Sequence, residues 1–239
     1  MAILCRRYRY LFIAAPGTGC TATAAALEHL CAGTAFPNED IRARGELVAS
    51  AKHASLPQLM EHGYLSFAER ECLLVFTTVR NPFDYWPSEW LRWRRWAQHL
   101  DDPDSWVNAQ PQAEQRIRLA LEADFDGFLR AMLGHTPRRR LKRLLRPWRR
   151  TGNRIWYPAA RHLHGTWLQG VDRVLRFEHL ERDFAEILRE LGLENPPDLP
   201  AVNVTQNRQS SYRDYYSKST RRLVERVFAP DLQRFGYRF

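Results

Sequence analysis

The sequence predicts an α/β domain built on a mainly parallel sheet. Three observations carry that expectation. Continuous apolar runs rich in β-branched and aromatic residues recur along the chain, and each leads into an amphipathic stretch. A glycine-containing turn joins the first run to an alanine-rich helical stretch. At 239 residues, with 44% hydrophobic and 26% charged side chains, the chain is long enough for one sizeable core and needs no metal or disulfide to hold it.

Taken in order, Tyr8 to Ala15 reads as a buried strand, Pro16 to Cys20 as a turn, and Thr21 to Cys31 as a helix. Ser55 caps a short helix. Cys72 to Val79 is a second strand, apolar on both faces. Asn81-Pro82 then opens a helix to about Gln98. A third strand is expected at Arg173 to Phe177, and a helix from Leu180 to Leu191 stops at Gly192. The last helix runs from Ser217 to Arg234, kinked by Pro230 and ended near Gly236. Asp101 to Pro111 and Glu194 to Gln209 read as loops. Strands separated by helices imply crossovers and hence parallel pairing. Neither a repeat nor a linker divides residues 1–239, so a single domain is expected.

The formal charge is +9, with 36 basic residues of which only Lys52, Lys142 and Lys218 are lysines. That balance favours anionic partners. Cys5, Cys20, Cys31 and Cys72 show neither CxxC spacing nor a disulfide framework, so buried thiols in a reducing, cytoplasmic setting are expected, with no metal. The N-terminal arginines are followed by too short an apolar run for a signal peptide, and no run reaches the roughly 20 apolar residues of a membrane helix.

The turn Pro16-Gly17-Thr18-Gly19-Cys20-Thr21 follows a strand and opens a helix. It is either a plain strand-to-helix connection or an anion cradle, in which glycines admit a ligand to the backbone, the helix N-terminus offers N–H groups, and Thr18 and Thr21 add hydroxyls. The ATP- and GTP-binding pattern GxxxxGK[ST] is absent, because no lysine precedes Lys52. Arg80 ends the second apolar strand, where a guanidinium is costly unless it meets an anion or an acid.

These residues resemble sulfotransferases that use 3′-phosphoadenosine-5′-phosphosulfate (PAPS). "FIAAPGTGCT" is similar to the family's 5′-phosphosulfate loop and "TTVRNPFDYWPSEW" to its 3′-phosphate-binding segment. "VDRVLRFEHLERDFAEILRELGL" resembles a later strand and helix, and "YRDYYSKSTRRLVERVFAPDLQRFGYRF" the C-terminal helix and its ending. The four segments lie in family order from residue 10 onward, with the carbohydrate-type branch most similar. The resemblance implies a P-loop NTPase-like three-layer sandwich. It places the 5′-phosphosulfate on Pro16, Gly17, Thr18, Gly19, Cys20 and Thr21, and the 3′-phosphate on Arg80 and Ser88. Arg208 and Arg213 would close over the nucleotide, although an exposed polar loop is an equal reading. One departure stands out: Gly17 occupies the position where the family usually carries a lysine or arginine.

Sulfuryl transfer to an alcohol needs a base, and histidine suits it near neutral pH. His53 is the first choice, with Lys52 as the substitute cation; His162, His164 and Glu178 are alternatives. Phe83, Trp86, Trp90 and Trp93 share a helical face, as a core stripe or as a stacking platform for a sugar. Arg138 to Arg150 is a basic amphipathic run, either solvated or docked on an anionic membrane or glycan. The expected function is transfer of a sulfuryl group from PAPS to a hydroxyl acceptor, which the resemblance implies is a carbohydrate or glycoconjugate. The rivals are a non-catalytic PAPS- or PAP-binding protein, a nucleotide kinase of similar architecture, and a nucleic-acid binder, for which no recognition module is visible.

Overall fold

The computed structural model describes residues 2–102, 104, 105, 107, 108, 112–134, 162–200 and 211–239. Within it the chain forms two compact units, Met1–Asn81 with His164–Val204, and Pro82–Leu163 with Thr205–Phe239.

The first unit is a mixed α/β structure around a five-stranded sheet. Its strands are β1 (Ile3–Cys5), β2 (Tyr10–Ile13), β3 (Thr34–Ala35), β6 (Leu74–Val79) and β7 (Arg173–Arg176), in the order β3-β1-β2-β6-β7. Pairs β2–β6 and β6–β7 are parallel, while β1 pairs antiparallel with both β2 and β3. Four strands therefore share one direction and β1 alone is reversed. The strand expected over Tyr8 to Ala15 is shorter, because Arg6 to Arg9 form the turn of a hairpin with β1, and Arg9 takes a φ of 52°.

Alternation along the strands divides two apolar layers. Tyr10, Phe12, Phe76 and Leu175 face one side with Leu27 of helix α1 (Cys20–Leu30) and Phe184, Ile187 and Leu188. The last three belong to the helix Leu180–Glu190. Leu4, Leu11, Ile13 and Val75 face the other side, against Leu56 and Leu59 of α2 (Leu56–Glu61) and Leu65. Tyr10 also donates its hydroxyl to the Cys31 carbonyl at 2.9 Å, joining β2 to the end of α1. Ser55 and Gln58 form the capping box of α2, as the sequence predicts. Ser66 and Glu69 do the same for α3 (Phe67–Glu71).

A separate hairpin, β4 (Ile41–Ala43) and β5 (Glu46–Ala49), precedes the 3₁₀ turn Ala51–His53. Its two-residue loop, Arg44-Gly45, has positive φ at both positions (53° and 86°), as a tight hairpin requires.

The second unit is helical: α4 (Pro82–Trp96), α5 (Ala113–Glu122), α6 (Phe125–Met132), α8 (Lys218–Val227) and α9 (Ala229–Phe235), with α7 being the Leu180–Glu190 helix of the first unit. Its core gathers Phe83, Trp86, Trp93, Phe128, Leu129, Val224 and Phe228. The aromatic face of α4 is thus mostly core, and Trp90 is half-buried with its Nε1 donating to the Ala120 carbonyl at 3.1 Å. The sugar-platform reading falls, because stacking needs rings that solvent can reach. Pro87 sits inside α4 and has no N–H to offer the Phe83 carbonyl one turn back. The Tyr216 hydroxyl donates to that carbonyl at 3.0 Å. The expected kinked C-terminal helix is two helices parted at Phe228, with Pro230 in the first turn of α9, where its missing N–H costs nothing. Gly236 ends α9 at φ 66°. Among the described residues no helix is long and apolar enough to cross a membrane.

Candidate functional site

Strand β2 runs out at Ile13, and the chain turns through Pro16–Gly19 before α1 begins. Gly17 and Gly19 both lie in the left-handed region, at φ 74° and 79°. Glycine adopts that region freely, whereas a side chain costs roughly 1 kcal/mol there. At Gly19 a second constraint applies: an added Cβ would lie 2.8 Å from Leu180 Cδ2 and 3.0 Å from Phe177 Cδ2. The turn is therefore packed directly against the end of the β7 segment. At Gly17 the positive φ favours glycine over any residue with a side chain.

The hydroxyls of the turn are not equivalent. Thr18 is fully buried; its Oγ1 donates to the Ala15 carbonyl at 2.7 Å and also meets Thr78 Oγ1. With its one proton spent on Ala15, the Thr18 side chain is a brace for the turn, and its contribution to an anion would come from the main chain. Thr77 Oγ1 donates to the Ile13 carbonyl at 2.7 Å, so β2 and β6 are laced together at their C-terminal ends. Thr21 is half-buried at the start of α1. Cys20 is buried. The first turn of α1 contains no acidic residue, and the Gly19 N-cap has no side chain to satisfy helix N–H groups. That leaves the positive end of the helix dipole without a competing carboxylate.

Arg80 follows β6 and is only 7% exposed. Its Nη1 donates to the Gly17 carbonyl at 3.1 Å, and its Cζ lies 4.1 Å from the centre of the Phe177 ring. A guanidinium stacked on an aromatic face gains about 0.5–2 kcal/mol and is held flat. Glu178 Oε1 accepts the Asn81 main-chain N–H at 2.7 Å, which gives this carboxylate a bracing contact at the strand ends. His164 is 4% exposed beside Arg80, and burial, then the Arg80 charge, push its pKa from 6.5 down to about 3. It is therefore neutral at any working pH and adds no charge to the site.

Lys52 is exposed and His53 half-buried on the 3₁₀ turn Ala51–His53. His53 Nδ1 lies 2.8 Å from the Ala14 carbonyl, at the mouth of the glycine turn. The His53 carbonyl accepts from Trp167 Nε1 at 2.8 Å. The first unit thus brings together the turn 16–21, His53, Arg80, Phe177 and His164. Ser88 belongs to the second unit, where its Oγ donates to the Asp84 carbonyl at 3.2 Å. Arg213 is also in the second unit; it is exposed, with Cζ 4.9 Å from the Tyr212 ring centre and 5.8 Å from that of Phe239. His162 pairs there with Asp231 Oδ1 at 2.7 Å. Arg208 and the run Arg138 to Arg150 lie outside the described residues. Phe177 and Trp167 were not singled out by the sequence. The only hint at Phe177 is an aromatic residue at the C-terminal end of a strand.

A mixed α/β unit with a glycine turn, a helix N-terminus and a buried arginine at neighbouring strand ends is an arrangement chemically suited to an anion. The sulfotransferase family profile matches residues 1–238, and the chain belongs to that family. No curated protein and no solved structure gives a match.

Proposed function

We propose that the protein moves a sulfuryl group from PAPS to a hydroxyl acceptor, a carbohydrate or glycoconjugate, by in-line transfer on a P-loop-like three-layer sandwich in the cytoplasm. The observation that carries this reading is the Arg80–Gly17 hydrogen bond, which sets a buried guanidinium against the glycine turn at the head of α1. Two features support the donor: the head of α1 has no side-chain cap, and glycines at positions 17 and 19 leave the turn's backbone uncovered by side chains.

PAPS supplies the activated sulfuryl group. Main-chain N–H groups of Gly17 to Thr21 would hold the 5′-phosphosulfate and Arg80 the 3′-phosphate; Ser88, Arg208 and Arg213 are further candidates by family resemblance alone. His53 would take the proton of the acceptor hydroxyl, and the bound donor would supply the sulfuryl group with its 5′-phosphate as leaving group. Lys52 and the helix dipole offset the charge left on the departing phosphate, a job that electrostatic preorganisation performs in related transfers.

A second reading, a PAPS- or PAP-binding protein without turnover, is favoured by Gly17 alone, since the loop carries no cation there. One experiment separates the two. PAP should raise the melting temperature where ATP with magnesium does not, and labelled PAPS should then transfer sulfate to at least one member of a glycan and alcohol panel. Binding without transfer selects the second reading. A response to ATP alone overturns both.

A further inference from the structure

We propose that Trp167, with the Ala14 carbonyl, positions His53 as a base whose Nε2 is the proton-accepting nitrogen. The proposal deepens the reading above and rests on it for the reaction served, while the hydrogen-bond arrangement can be tested without any substrate.

The tautomer follows from the partner. A carbonyl oxygen has no proton to give, so His53 Nδ1 must be the donor across the 2.8 Å to Ala14. A neutral imidazole then carries its lone pair at Nε2. Ala14 lies just past β2, two residues before the turn, so the ring is tied to the same strand end that carries the glycines.

A ring held at one nitrogen also needs a held backbone. The 3₁₀ turn Ala51–His53 buries none of its residues and is three residues long, so packing alone does not fix it. Hydrogen bonds to the described residues contribute. His53 N–H donates to the Ser50 carbonyl at 3.0 Å, and Ala51 N–H to Asp40 Oδ1 at 2.8 Å. Trp167 Nε1–H donates to the His53 carbonyl at 2.8 Å. Only the last comes from a distant part of the chain, the 3₁₀ turn Gly165–Leu168 ahead of β7. The Trp167 ring packs against the apolar layer that also holds Leu56 and Leu59, so its N–H is aimed by a rigid support. Trp167 acts through His53, and misplacement of a base by about 1 Å costs on the order of 100-fold in rate.

The test uses the full chain labelled with ¹⁵N-histidine. Nitrogen NMR in mildly alkaline solution should show the Nδ1–H form, with the signal assigned by its loss in His53→Gln. In Trp167→Phe the Nδ1–H and Nε2–H forms should mix, and kcat should fall about 10-fold or more while PAP affinity stays unchanged. Trp167→His keeps a ring N–H and should recover part of both. An Nε2–H form in the wild type overturns the proposal, and so does a Trp167→Phe protein with unaltered spectrum and turnover. The wild-type spectrum decides the tautomer even if the variant fails to fold. Failure of PAP to bind would instead sink the donor assignment, and full activity in His53→Ala would sink the base.

Discussion

Arg80 donates to the carbonyl of Gly17 across 3.1 Å, although 63 residues separate them. The contact ties the ends of β2 and β6 and sets a buried positive charge at the mouth of α1. Phe177 supports the guanidinium from below through its ring face. Replacing Arg80 by Ala removes charge, stacking and the hydrogen bond together. PAP affinity should fall about 10- to 100-fold, since a hydrogen bond to a charged group contributes about 1.5–3 kcal/mol. Arg80→Lys should recover only part of it, because an ammonium cannot lie flat on Phe177. Titration calorimetry with PAP measures both, and unchanged affinity in Arg80→Ala would remove this residue from the site.

Gly19 is constrained twice, by its φ of 79° and by the 2.8 Å approach of Leu180 to an added Cβ. Gly19→Ala should therefore lose about 2 kcal/mol or more, lowering Tm by about 4–8 °C. Gly63 has a similar φ of 74° with nothing within 4 Å of an added Cβ. Gly63→Ala should lose only about 1 kcal/mol. Equal losses in thermal melts would show that the crowding at Gly19 is unimportant.

Gly17→Lys restores a cation to the turn against a backbone strain of roughly 1 kcal/mol. If the turn lacks charge for the departing phosphate, kcat should rise about tenfold while Tm falls slightly. A variant slower than wild type at unchanged PAP affinity would mean that Lys52 or another group already meets the need.

The buried, neutral His164 links stability to pH. Its folded pKa of about 3 lies below the ordinary 6.5, so the unfolded chain binds the extra proton between those values. Stability is then whole above pH 6.5 and falls as the pH drops toward 3, by about 1.4 kcal/mol per unit at most from this group. His164→Gln should flatten that part of the profile in melts taken from pH 4 to 8. An identical slope in the variant would assign the acid sensitivity elsewhere.

Much of the first unit could be read along the chain. Strand β6, β7 and the Gly192 stop of α7 fall close to expectation, as does the Asn81-Pro82 start of α4 in the second unit, because apolar runs and turn residues are local signals. Strands β1 and β3 have three and two residues, too few for any periodicity to show. Helices α5 and α6 went unread, although Asp124 accepts from Gly127 N–H at 2.7 Å as an ordinary N-cap of α6. The four-ring face of α4 shows why exposure cannot be read from spacing: helical periodicity identifies a face without saying what covers it.

The order of residues was enough to place a glycine turn at one strand end and an arginine at another, since turn conformation and strand length depend on near neighbours. Which hydroxyl of the turn is spent, which nitrogen of His53 meets the Ala14 carbonyl, and where the Arg80 guanidinium points were decided by the folded chain. Those outcomes hang on Ala15, Ala14 and Gly17 carbonyls meeting side chains through space, and hydrogen-bond partners brought together by packing leave no trace in local sequence.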